Sequence, residues 1–133
     1  LPRTKILFSS SLDLGKLNLT GRASHFGSVK AFSAGLSAAD ANVECDASNR
    51  CVQTFGAKTL VDLSVTYRFT ERFALTAGGN NIFNTYPDKW NARRNGFAGE
   101  AAQYSNGQIP YTRNAGQFGF NGAFYYLAAN MNF

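Results

Sequence analysis

From Leu60 to Phe69 the chain alternates with period two, most cleanly from Val61 onward. Val61, Leu63, Val65, Tyr67 and Phe69 occupy one set of positions, and Leu60, Asp62, Ser64, Thr66 and Arg68 the other. A helix would mix these sets, whereas a strand sends them to opposite faces. The segment is therefore read as a strand with one apolar and one polar face. The pattern recurs at the C-terminus. Phe133, Met131, Ala129, Leu127, Tyr125 and Ala123 line one face, and Asn132, Asn130, Ala128, Tyr126, Phe124 and Gly122 the other. Leu17, Leu19, Gly21 and Ala23 alternate with Lys16, Asn18, Thr20, Arg22 and Ser24; Phe73, Leu75 and Ala77 alternate with Ala74, Thr76 and Gly78. Ile6, Phe8, Ser10 and Leu12 alternate less cleanly with Lys5, Leu7, Ser9, Ser11 and Asp13. Five strands are predicted, near 3–13, 16–29, 57–69, 72–83 and 118–133.

Composition agrees with an all-β chain. A length of 133 residues suits one ordinary domain. Hydrophobic residues at 44% fit neither a disordered tail nor a helical membrane protein. The longest apolar run, Ala123 to Ala129, has seven residues, far short of the ~18 that a spanning helix needs. Aromatics at 14%, charged residues at only 16%, 13 Gly and one Met favour strands over helices. The net charge of +5 is spread along the chain, so no nucleic-acid partner is expected. No leader-like segment opens the chain, which predicts a mature segment or a cut piece.

The connections are unequal. Turns at Asp13-Leu14-Gly15 and Thr70-Glu71 are tight, while 30–56 and 84–117 are long. Short and long connections alternate, so the short ones gather at one end of the strands and the long ones at the other. That is the pattern of an up-and-down antiparallel transmembrane β-barrel. The strands match the roughly 9–11 residues that a tilted spanning strand needs. A Lys or Arg on the lipid face near the midplane costs roughly 2–4 kcal/mol, so the Val61–Phe69 set is assigned to lipid and the Asp62–Arg68 set to the lumen. Tyr67, Phe69, Phe73 and Phe133 then form an aromatic belt near the short-turn end. Short turns in such barrels are periplasmic, so the chain ends on the periplasmic side and residue 1 lies in or beside an extracellular loop. Five strands cannot close, because eight is about the smallest usual number. The chain is expected to be the C-terminal part of something larger, or to need a partner chain.

At this point the residues resemble a known family. The stretch from Phe55, FGAKTLVDLSVTYRFTERFALTAGGNNIFNTYPDKW, is similar to the closing strands of TonB-dependent outer-membrane receptors. Asn80-Asn81-Ile82-Phe83-Asn84, followed by Tyr86-Pro87-Asp88, resembles the asparagine-rich end of the family's penultimate strand. The tail QFGFNGAFYYLAANMNF resembles its last strand, and Phe133, with Met131, Leu127 and Tyr125 at alternate positions, resembles the signal read by the barrel-assembly machinery. The opening LPRTKILFSSSLDLGKLNLTGR is similar to the run into the last hairpins. The resemblance implies a barrel of about 22 strands, plugged by an N-terminal domain, of which these are the last five. It implies active uptake of a scarce nutrient (a siderophore-iron or similar chelate, or a glycan) with energy from the TonB complex. It also implies the bacterial outer membrane as location. The partners would be the remaining strands and plug, TonB through the missing N-terminal part, outer-membrane lipid and lipopolysaccharide. No plug, TonB box or earlier strand is seen in this sequence.

Loop 84–117 offers Tyr86, Lys89, Trp90, Arg93, Arg94, Tyr104, Tyr111 and Arg113 as candidate substrate contacts, with Asp88 and Glu100 its only acids. Arg pairs bidentately with carboxylate or phosphate, and Trp and Tyr supply flat apolar contact, which suits an anionic or aromatic ligand. The plainer alternative, contact with lipopolysaccharide phosphates or packing between loops, carries more weight. Segment 109–119, with Pro110, is read as leading the chain back into the barrel. Cys45 and Cys51 are read as a disulfide in an oxidising compartment; two thiols without a nearby His make a poor set for a closed zinc site. His25, the only histidine, is read as interfacial. Asp62, Arg68, Asn130 and Asn132 are expected to bond to the plug or to water. No metal, cofactor or enzymatic activity is expected: no nucleophile–base pattern, P-loop or usefully paired carboxylates occur, and Gly116, Gly119 and Gly122 do not form a Rossmann fingerprint. The rival reading is a small self-assembling outer-membrane or adhesion protein without transport. Its difficulty is the odd strand count, with residue 1 on the extracellular side.

Overall fold

The structure is a computed structural model in which residues 2–33, 35–91, 93–94, 97–98, 111 and 116–133 are described. None of these is helical. The strands are β1 (Lys5–Leu14), β2 (Leu17–Phe26), β3 (Val29–Phe32), β4 (Val43–Cys45), β5 (Cys51–Phe55), β6 (Lys58–Thr70), β7 (Phe73–Asn80), β8 (Arg93–Arg94), β9 (Phe97–Ala98) and β10 (Phe124–Met131). They form a five-stranded sheet in the order β1-β2-β6-β7-β10, a three-stranded sheet β3-β5-β4 and a ribbon β8-β9. The chain divides into two compact units. One holds Lys5–His25, Thr59–Thr85 and Asn121–Phe133; the other holds Phe26–Lys58 and Tyr86–Phe120 with the first residues up to Thr4.

The first unit is an antiparallel meander whose register keeps the two faces distinct. Leu63, Gly79 and Tyr125 pair in one row, Val65, Ala77 and Leu127 in the next, and Tyr67, Leu75 and Ala129 in the third. Residues facing each other across a ladder share a face, so this side is continuously apolar. The intervening rows run Ser64, Gly78 and Tyr126, then Thr66, Thr76 and Ala128, then Arg68, Ala74 and Asn130. Thr66 and Thr76 hydroxyls bond across the strands at 2.9 Å. Neither face is covered: every residue of β1 and β10 is exposed. Among the described residues, no strand lies beside the outer edges of β1 and β10.

Both short turns and the chain end gather at one end of this sheet. Gly15-Lys16 links β1 to β2, and Asp13 Oδ1 accepts the Gly15 N–H at 3.2 Å. Glu71-Arg72 links β6 to β7, and Thr70 Oγ1 accepts the N–H groups of Arg72 and Phe73 at 3.3 and 3.1 Å. A register shift between Arg68 and Thr70 accommodates this second turn. Arg68 N–H donates to Lys16 O, and Asn132 N–H to Arg72 O, both at 2.8 Å. Three aromatic rings meet here: Tyr67 and Phe69 lie 4.8 Å apart, and Phe69 and Phe73 5.4 Å.

Three predicted boundaries are corrected. β7 stops at Asn80, not 83, because Asn81 and Asn84 both take the left-handed conformation, at φ 51° and 55°. Asn tolerates that region because its short amide can bond locally. Asn81 does so twice, accepting Thr85 N–H at 2.9 Å and donating to Thr85 O at 2.8 Å. β10 starts at Phe124, not 118, since Gly122 stands at φ 75° and breaks the strand there. β2 ends at Phe26 rather than 29, and the next strand begins at Val29 in the other sheet.

The second unit carries the core. Val29, Leu36, Cys51, Phe55 and Trp90 are buried together, with Ala31, Val43 and Cys45 against them. Segment 30–56, expected as a loop, thus carries a small three-stranded sheet. Cys45 and Cys51 face each other in its register and are disulfide-bonded. Thr4 O accepts Gly27 N–H at 2.8 Å, which ties Thr4 to this unit.

Candidate functional site

Segment 84–91 is strapped onto β5. Gln53, 1% exposed, donates through Nε2 to Lys89 O at 2.7 Å and accepts Asn91 N–H on Oε1 at 2.9 Å. A buried amide left unpaired would cost about 1–3 kcal/mol, so this double bond fixes the strap in place. Asn91 Nδ2 donates to Ala41 O at 2.8 Å. Asp88 accepts Gly56 N–H at 2.7 Å and pairs with Lys58 Nζ at 2.9 Å. Burial pushes the Asp88 carboxyl up, but the Lys58 hydrogen bond, the Gly56 N–H and the Lys58 charge together outweigh it and hold the group below its usual 3.8.

The candidate contacts in this loop separate into different environments. Trp90 is 6% exposed and stacks on Phe55 at 5.7 Å and 13°, which makes it core. Lys89 is exposed. Tyr86 stacks on Tyr111 at 5.6 Å, and Tyr111 on Phe120 at 5.8 Å, giving a three-ring ladder. Arg93 and Arg94 form β8, paired with β9. Tyr104 and Arg113 lie outside the described residues, as do Glu100 and Pro110. The described end of segment 109–119 is anchored by Gln117, whose Nε2 donates to Gly27 O at 2.6 Å and Gly56 O at 2.9 Å. Tyr125, Leu127 and Met131, expected from the resemblance to carry an assembly signal, share the apolar face of β10 in the other unit, and Phe133 is fully exposed beyond them.

A second constellation lies on the polar face of the five-stranded sheet. Arg22 donates from Nε and Nη2 to Asp62 Oδ2 at 3.1 and 3.0 Å, and Asp62 Oδ1 accepts Asn81 N–H at 2.8 Å. Asp62 therefore has partners within the sheet itself. His25 Nδ1 and Thr59 Oγ1 bond at 2.9 Å. Leu7 and Ser9 of β1, Thr20 and Arg22 of β2, Asp62 and Ser64 of β6, and Tyr126 of β10 line one groove of about 350 Å³. Leu63, Gly79 and Asn80 complete the lining, so both edge strands and the strands between them contribute to this one groove. Sequence reasoning placed Arg22 and Asp62 on polar faces but not together, because their contact depends on pairing β2 with β6, forty positions apart.

Among the described residues no group of three or more His, Cys, Asp or Glu could hold a metal ion. No family model, no curated protein and no solved structure matches the chain.

Proposed function

We propose that this chain is the C-terminal wall segment of a TonB-dependent outer-membrane receptor, with the apolar face of the five-stranded sheet against lipid and the polar face lining the lumen. One observation carries the reading: the sheet is two-faced, has no cover on its apolar side and leaves both edges unpaired. In water such a face is an aggregation hazard, and in lipid an open edge cannot persist. Both needs are met if further strands close the sheet into a barrel.

Strand parity says how many. The meander has five strands, so β1 and β10 run in the same direction. An antiparallel ring that includes them needs an odd number of additional strands. Copies of this chain joined β10 to β1 would pair in parallel, which disfavours a self-assembled ring. On this reading the long connections, 30–56 and 84–117, are extracellular.

Intact-mass analysis and N-terminal sequencing of the native, detergent-solubilised protein test this reading. A longer chain, or a companion chain bound to this one and supplying the remaining strands, supports it. A stable multimer made only of 133-residue chains contradicts it.

A further inference from the structure

The polar face changes character along β10. Asn130 and Ala128 are followed on the same face by two rings, Tyr126 and Phe124, with centroids 6.3 Å apart and planes 27° from parallel. Large rings on an otherwise hydrophilic face are the informative exception to a two-faced pattern. Tyr126 lies flat against the sheet. A Cβ on Gly78 would stand 2.5 Å from its hydroxyl oxygen and 2.6 Å from Cζ. Only glycine leaves room there, and a mid-strand glycine of this kind marks a close approach.

The polar lining beside this ring carries no net charge. Arg22 is matched by Asp62, and both Asp62 oxygens already accept hydrogen bonds. A bare anion or cation therefore finds no unmatched charge. Among the described residues, Ser9, Ser64, the Asn80 side chain and the Tyr126 hydroxyl have no hydrogen-bond partner. The Arg22 guanidinium uses only Nε and Nη2. The groove thus offers both donors and acceptors along one wall and a flat apolar ring on its floor. Its volume of about 350 Å³ falls within the roughly 300–1,000 Å³ usual for small-ligand sites.

We infer that this groove binds a neutral saccharide, one sugar ring lying on Tyr126 with its hydroxyls on Ser9, Ser64, Asn80 and Arg22. A sugar is the ligand class that combines an apolar ring face with a rim of uncharged hydroxyls. The inference stands on the sheet alone. It would give the receptor proposed above a glycan cargo, but binding and barrel formation succeed or fail separately.

The test is calorimetric titration of the full chain in detergent with neutral hexasaccharides of the malto, cello and xylo series, and with citrate as the anionic comparison. Variants are compared at matched β-sheet circular dichroism. Saturable binding of at least one hexasaccharide is expected. Tyr126→Ala and Gly78→Ala should each weaken it about tenfold or more, the second by lifting the ring into the groove. Tyr126→Phe keeps the platform and should lose less, and Arg68→Ala, farther along the same face, should leave affinity unchanged. No saturable saccharide binding by the parent chain overturns the inference. So does tighter binding of citrate, or binding indifferent to both Tyr126→Ala and Gly78→Ala.

Discussion

Phe55 and Leu127 are both large apolar residues on β-strands, yet Phe55 is fully buried and Leu127 is 70% exposed. The difference belongs to their units. Phe55 has Trp90 stacked on it and the β3-β5-β4 sheet around it, and even the buried amide of Gln53 finds all its partners within the unit. Leu127 sits in a row with Val65 and Ala77 that, among the described residues, is left uncovered. One unit excludes water with its own side chains; the other has an apolar face organised for a medium that the chain does not supply. On the proposed reading that medium is lipid.

The sharpest way to break the comparison is to empty the core of the long-connection unit and charge the apolar face of the five-stranded sheet. Phe55→Ala should cost about 3–5 kcal/mol in the long-connection unit, read as lost hydrogen-exchange protection across β3 and β5, while β6, β7 and β10 keep theirs. Leu127→Arg should cost about 2–4 kcal/mol when the protein is unfolded from lipid vesicles, because the charge enters the apolar face near its middle. Asn130→Arg, on the opposite face of the same strand, should cost far less in the same experiment. A similar cost for both would remove the distinction between the faces.

Two smaller effects sharpen the account of the core. Reducing the Cys45–Cys51 disulfide closes off a seven-residue loop's contribution of roughly 2 kcal/mol, and the loss should stay local to β4 and β5. Differential exchange with and without reductant measures it. Asp88 contributes in a pH-dependent way. Its folded carboxyl is held below 3.8, so the stabilisation is fully present above that pH and is lost as pH falls through the lowered value. Asp88→Asn should abolish this acid dependence at a cost of about 1 kcal/mol at neutral pH, seen as an earlier shift of Trp90 fluorescence in denaturant.

The parts of the fold that were legible in the sequence are those where one residue's environment differs sharply from its neighbour's. Leu60–Phe69 showed β6 because each apolar residue from Leu63 to Phe69 is flanked by polar ones. The small sheet in 30–56 was hidden by Gln53, a polar residue on the buried side of β5, whose burial makes sense only once Lys89 and Asn91 are seen to satisfy it. The asparagine motif was visible as a pattern, but its work, ending β7 and holding Thr85, is a matter of backbone angle. Among the candidate contacts, Trp90 looked like a ligand platform because its partner Phe55 is distant in sequence. The Arg22–Asp62 pair and the Tyr126 ring over Gly78 needed the strand register, which alternation alone does not fix.

The measurement closest to the central claim is a nitroxide scan along β10, one cysteine substitution at a time from Phe124 to Met131, with the protein in lipid vesicles. Accessibility to oxygen should peak at 125, 127, 129 and 131, and accessibility to a water-soluble nickel chelate should peak at the alternate positions. Equal access of both reagents to both faces, or protection of both, would contradict a sheet with one side in lipid and the other lining a wet lumen.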